Sequence, residues 1–274
     1  MSYNSNFVST PNRLRDNRRN LRWSHEEPAQ PHRSDFSKDR DRILYSKSFL
    51  RLRGKTQVFM LHNNDYIRTR LTHTLEVNQI AKTIAIALGQ NVELTEAIAL
   101  GHDVGHTPFG HVGERTLDSI LLNDANTQDN QKGFKHNLQA LRLLCELEKG
   151  ANYPEQKGLN LTKYVLWGIA HHSSVGNKPF YDSILNELND YWSFEGYIVA
   201  MADEIAQRHH DIEDSLRYNI VSRDELIGRL SDFSICFAQQ DRDTYNKLQE
   251  GIRNLEAPVF SALFSRLVVN LYVV

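Results

Sequence analysis

The chain has 274 residues, 40% apolar and 24% charged, with a formal net charge of -2, an ordinary soluble composition with length enough for a substantial core. That balance gives no whole-chain push towards nucleic acid or membrane, no apolar run is long enough to span a bilayer, and the first thirty-odd residues hold no signal-peptide core. The two cysteines, Cys145 and Cys236, lack CxxC spacing, so neither a disulfide framework nor a thiolate metal site is indicated, and a reducing cytoplasm is the expected location.

Residues 1–34 are rich in Asn, Arg, Pro and Ser, with Arg13, Arg15, Arg18, Arg19 and Arg22 crowded together. The segment reads as a mobile basic arm. Its arginines suit phosphates, those of a single-stranded nucleic acid included, or an acidic neighbouring subunit. A solvated basic tail is the plain alternative. From Ser37 the pattern Ile43, Leu44, Lys47, Leu50 and Arg51 follows helical spacing up to Gly54. Arg51, Arg53 and Lys55 cluster at its end, where cations either complement the helix dipole or reach an anionic ligand.

A helix capped by Thr69 or Thr72 carries Leu71, Leu75, Val77, Ile80, Ala81, Ile84, Ala85 and Leu88 as its core side and stops at Gly89. His73 lies on the inward face, one turn from Arg70. A second helix from Val92 places Leu94, Ala97, Ile98, Gly101 and His102 on one stripe. His102 thus continues a buried face at the point where Gly101 and Gly105 thin the backbone. A loop with His106, Pro108, Phe109 and Gly110 leads to His111 and Glu114, which share a face at i, i+3 of the next helix. Further helices are predicted over Phe134–Glu148, Leu159–Ala170 (ending at His171-His172) and Phe194–His209, the last carrying Asp203. Beyond Leu216 three more helices are expected. Strand alternation, hairpin turns and repeats are not found, so the predicted class is all-α.

His102 and Asp103 offer one ring nitrogen and one carboxylate to the same ion. His73 upstream and Asp203 downstream complete a two-His, two-Asp ligand set. Without sulfur, such a set suits Mn, Mg, Fe, Ni, Co or Zn rather than a closed structural zinc site. A six-coordinate ion held there keeps positions for water and a phosphate oxygen, which is the chemistry of phosphoester hydrolysis.

Five blocks in order, DRDRILYSKSFLRLRGKTQVF, RTRLTHTLEV, GHDVGHTPFGHVGE, FKHNLQALR and ADEIAQRHHDIED, resemble the HD-domain metal-dependent phosphohydrolases. Within these the chain looks like the deoxyguanosine triphosphate triphosphohydrolase (dGTPase) group, related to the SAM-and-HD-domain dNTPase. The resemblance implies an HD helical core over residues 35–217 and one divalent metal on His73, His102, Asp103 and Asp203. It implies His111, held by Glu114, as the acid that protonates the departing 5′ oxygen, with His106 and His136 in support. Arg51, Lys55 and Arg70 would contact the triphosphate, and Gln57 and Asp211 the deoxyribose 3′-hydroxyl. The implied reaction is hydrolysis of a deoxynucleoside triphosphate to deoxynucleoside and intact triphosphate by a homo-oligomer. Three departures stand out: Leu50-Arg51-Leu52 replaces the family's Arg-Arg-Leu, Gln207 stands where an aromatic is usual, and residues 218–274 read as the start of a longer C-terminal region. The alternatives are another HD phosphohydrolase, acting on a nucleoside monophosphate or signalling nucleotide, or a nucleotide- or nucleic-acid-binding regulator with a weakened site.

Overall fold

The computed structural model describes residues 21–28, 30–56, 68–123, 133–149, 157–174, 181–217, 220–222, 224–225 and 246. The chain divides between Met201 and Ala202 into two compact units. Among the described residues the regular structure is helical, and extended segments meet only as isolated bridges, such as Arg22 with Thr162 and Thr56 with Thr69. The predicted all-α class is observed. No helix among the described residues is long and apolar enough to cross a membrane. The three helices expected beyond Leu216 fall almost entirely outside the described residues.

In the first unit, α1 (Asp35–Leu44) begins at Ser34, whose hydroxyl accepts from the Ser37 N–H. The single helix expected up to Gly54 is broken after Leu44. Ser46 caps a second short helix, α2 (Lys47–Leu50), which tightens into a 3-10 turn over Arg51–Gly54. A hydroxyl that accepts from a backbone N–H three residues on competes with helix continuation, which explains the break. Helix α3 (Arg70–Ala87) starts at a reciprocal box in which Thr69 and Thr72 each bond the other's backbone N–H, so both predicted caps are used. It ends before Gly89, whose φ of +64° suits glycine. Its buried stripe is Arg70, His73, Thr74, Val77, Ala81, Ile84 and Ala85. Leu75, expected inside, is exposed because it lies two residues, over half a turn, from His73 and Val77.

Helix α4 (Val92–Gly101), capped by Asn91, is the central rod of this unit. It packs against α1, α3 and α7 (Lys163–His171). Leu94, Ala97 and Ile98 are wholly enclosed, and each large side chain so buried stabilises the fold by about 1.5–3 kcal/mol. Helix α5 (Gly110–Asn123) follows the HD loop. Helix α6 (His136–Arg142) runs on into a π-helical turn over Leu143–Leu147 and begins two residues later than expected. The Phe134 N–H instead bonds the Asp118 carboxylate at 2.6 Å. Helix α8 (Asp182–Leu188), which the periodicity did not reveal, leads through a turn to α9 (Phe194–Arg217). Helix α9 starts in the first unit and continues into the second, eight residues past its expected end at His209.

Arg22 corrects the reading of residues 1–34 as an arm where that segment is described. The guanidinium is buried and bonds Asp39 at 2.9 Å, Asp35 at 2.8 Å and the Asn160 carbonyl at 2.8 Å. The Arg22 backbone bridges Thr162, and the Trp23 N–H bonds the Leu161 carbonyl. Asn160 adopts φ +51°, so its carbonyl receives both Arg22 and Arg42 while its side-chain oxygen accepts from the Ser24 N–H. This pins residues 159–162 in a non-helical conformation and delays α7 to Lys163. Burial opposes the ionisation of Glu27 and Asp35, yet the arginines Arg42 and Arg22 outweigh it and hold both below the usual carboxylate range. Asp39 is fully enclosed, and burial pushes its carboxyl up despite Arg22.

Candidate metal centre

The HD pair stands where α4 runs out. His102 is its C-cap residue, and the chain then turns through Asp103–Gly105. A Cβ at Gly105 would overlap the His136 carbonyl and the Ala140 backbone, so only glycine lets this loop lie against the start of α6. That approach brings Asp103 and His106 beside His136. A side chain at Gly101 would likewise strike Ile169 of α7.

Three donors converge here within the first unit. His73 Nε2 is 4.0 Å from Asp103 Oδ2, and His102 Nε2 is 3.6 Å from Asp103 Oδ1. All three residues are buried. His102 Nδ1 lies 2.6 Å from the Ala99 carbonyl. A carbonyl only accepts, so Nδ1 carries a hydrogen and Nε2 is the atom that faces Asp103. This is the outer-shell arrangement that fixes a ligating imidazole. Two imidazoles and a carboxylate, with no thiolate, fit a divalent cation of the borderline class. Asp203, the further member of the expected set, lies on α9 in the second unit, as does Asp211.

Asp103 is held ionised. Burial alone would raise its carboxyl, but the close contact of His106 Nδ1 and the positive Arg70 outweigh it and keep it well below the usual range. Arg70 bonds Asp103 Oδ2 at 2.9 Å, and His106 Nδ1 lies 2.8 Å from Oδ1. Burial holds His106 neutral, its titration pushed well below normal. Arg70, expected at the phosphates, is thus engaged with the acid of the HD pair. Its Nε has no acceptor among the described residues.

Around this centre runs a second set. Glu114 Oε2 accepts from His111 Nδ1 at 3.2 Å and from His136 Nδ1 at 3.0 Å, and Lys135 Nζ lies 3.7 Å from its other oxygen. Burial opposes the charge, but these partners drive the Glu114 carboxyl far below its usual range. The i, i+3 pairing of His111 and Glu114 on α5 is as expected. The His111 side chain is 56% exposed, whereas His136 is buried. Lys55 donates to the His106 carbonyl at 2.6 Å and to the Val104 carbonyl at 3.4 Å. Burial, together with Arg70 and Arg51, pushes its ammonium down to about 8. Arg51 is exposed on the 3-10 turn. Gln57 lies outside the described residues.

His172 was not singled out by the sequence, which offered only a His-His pair at a helix end. It is buried, its Nδ1 lies 2.7 Å from the Ile169 carbonyl, and its Nε2 lies 3.2 Å from His136 Nε2. A polar residue closing the apolar run Trp167-Gly168-Ile169-Ala170 was the available signal, the same one that marks His102.

A helical core that presents a buried His-Asp pair from the end of its central helix, with a further histidine one helix upstream, defines a class. The chain belongs to the HD-domain family, whose model matches residues 70–223. It is also similar to a protein of Roseobacter denitrificans named deoxyguanosinetriphosphate triphosphohydrolase-like protein, with 42% identity over 259 residues, covering 90% of this chain and 63% of that one. Proteins of the same name from Jannaschia and Wolinella succinogenes are 44% and 47% identical, covering 83% and 73% of this chain and 58% and 55% of theirs. The chain spans little more than half the length of these curated relatives.

Proposed function

We propose that the chain carries the catalytic core of a metal-dependent phosphohydrolase that cleaves deoxynucleoside triphosphates to deoxynucleoside and inorganic triphosphate. The observation that carries this reading is the convergence of His73, His102 and ionised Asp103 beside the His111–Glu114 pair. The names of the relatives support the substrate class. His73, His102 and Asp103 would hold one divalent ion, with Asp203 as the further ligand. Such an ion supplies charge neutralisation at a phosphoryl group and a water of lowered pKa.

The chain's own residues account for the remaining steps. Arg51, Lys55 and Arg70 bind the triphosphate, since charge-assisted bonds to phosphate oxygens are the strong ones. Gln57 and Asp211 recognise the deoxyribose. Attack by water at the α-phosphorus breaks the bond to O5′, and the alkoxide that departs needs a proton. His111 delivers it from Nε2. Glu114 accepts a hydrogen bond from His111 Nδ1 and fixes the ring, while the exposure of His111 leaves it within reach of substrate. A positioned acid of this kind contributes about 10²–10⁴-fold. His106 and His136 line the phosphate side in support. The protein acts as a homo-oligomer in the cytoplasm, and Arg13, Arg15, Arg18 and Arg19 would meet a single-stranded nucleic acid.

The test is product analysis on protein reconstituted with Mn(II) and given each deoxynucleoside triphosphate in turn, with His102→Ala and Asp103→Ala as controls. Deoxynucleoside plus intact triphosphate, lost in both variants, is expected. Release of monophosphate or of single phosphates would place the cut at another bond and favour a different HD phosphohydrolase.

A further inference from the structure

Glu148 is a buried acid outside the metal centre, and its backbone is fixed on both sides. It follows the π-helical turn Leu143–Leu147, where its N–H bonds the Leu143 carbonyl at 2.8 Å, and its own carbonyl accepts from the Gly158 N–H at 2.8 Å. Gly158 can come that close only as glycine, since its φ is +76° and a Cβ there would overlap the Cys145 carbonyl. From this fixed point the side chain reaches Ser48, 100 residues earlier. Glu148 Oε1 accepts from the Ser48 N–H at 2.7 Å and from the Ser48 hydroxyl.

Ser48 is the second residue of α2, so the carboxylate caps that helix from outside it. Ser46 Oγ takes the next N–H, that of Phe49, at 3.1 Å. A helix of four residues does not hold its own shape, because nucleation costs more than so few bonds return. The run from α2 through the 3-10 turn to Lys55 is therefore shaped by its burial of Phe49 and Leu52 and by the polar groups that grip its ends. At the far end the Lys55 carbonyl accepts from the Arg70 N–H at 2.9 Å, and Lys55 Nζ bonds the His106 carbonyl at 2.6 Å. At the near end the grip from a distant part of the chain is Glu148. Arg51 lies between the two, exposed, one turn after Ser48.

We propose that Glu148 is a positioning residue for triphosphate binding, acting through Ser48 and α2 on Arg51. The inference rests on the proposed assignment of Arg51 to the triphosphate.

The experiment is a double-mutant cycle in steady-state hydrolysis of dGTP by the Mn(II)-loaded full chain, with wild type, Glu148→Ala, Arg51→Ala and the double variant. Glu148→Ala should raise KM by about tenfold, the scale of one charge-assisted hydrogen bond, with kcat nearly as it was. In the Arg51→Ala background the same change should add little, because the residue it positions is gone. Glu148→Gln, which keeps an accepting oxygen, should recover most of the loss. An unchanged KM, a loss confined to kcat, or an effect that adds in full to that of Arg51→Ala overturns the inference and leaves the proposed function standing. If Glu148→Ala fails to fold, Ser48→Ala decides, since it removes the hydroxyl bond alone: its KM should rise about threefold, and only while Arg51 is present. No rise overturns the inference. A wild-type KM in Arg51→Ala takes Arg51 off the substrate and overturns it too, whereas no turnover of dGTP by wild type overturns the proposed function along with it.

Discussion

Replacing Arg22 with methionine isolates what the buried ion pair near the start of the chain does. Methionine keeps much of the aliphatic contact but removes the guanidinium. Asp39, fully enclosed, would then lose the 2.9 Å bond to Arg22 and keep the Thr162 N–H at 2.7 Å. Removing one partner of a buried pair leaves an uncompensated charge and costs about 3–5 kcal/mol. With a urea slope of about 1–3 kcal/mol per molar, the unfolding midpoint should fall by at least about 1 M. Far-UV circular dichroism in urea measures this. The double variant Arg22→Met, Asp39→Leu should regain most of the loss, because a buried pair exchanged for apolar side chains is often neutral. A single-variant loss below about 1 kcal/mol, the size expected of an exposed pair, would refute the reasoning. So would a double variant no better than the single.

Two further outcomes concern pH. Glu27, Asp35 and Glu96 titrate below the usual range because arginines, and Lys82 for Glu96, outweigh the cost of burial. Depressed folded values mean that their stabilisation is complete at neutral pH and is lost as pH falls below about 4; urea midpoints at pH 7 and pH 3.5 should show the drop, and equal midpoints would contradict it. At the site, Lys55 loses its charge as pH rises through about 8, so KM for a deoxynucleoside triphosphate should rise above that pH. In Lys55→Arg, which stays charged, that rise should vanish; an unchanged profile would remove Lys55 from substrate binding.

Much of the fold was legible because its signals are local. The apolar stripe from Leu94 to His102, the Thr69–Thr72 box and the stop at Gly89 each lie within a few residues of what they control. The same holds for His111 and Glu114, one helical turn apart. What the sequence hid depends on partners far along the chain. Arg22 looked like one more charge in a basic run, since the Asn160 carbonyl that fixes it lies 138 residues away. His172 gains its meaning only where α7 brings it against His136, 36 residues upstream. Arg70 was read towards phosphate from its charge, while its bond to Asp103 depends on how α3 packs against α4. The break at Ser46 was local and still missed, because a capping hydroxyl within an otherwise helical pattern leaves the hydrophobic spacing intact.

The central claim, that water attacks the α-phosphorus and the O5′ bond breaks, is tested most directly with oxygen-18 water. Mn(II)-loaded protein would turn over a deoxynucleoside triphosphate in labelled water, with both products weighed by mass spectrometry. The account predicts one labelled oxygen in the triphosphate and none in the deoxynucleoside. Label in the deoxynucleoside would mean attack at carbon, and label in a released phosphate or diphosphate would mean cleavage further along the chain; either would contradict it.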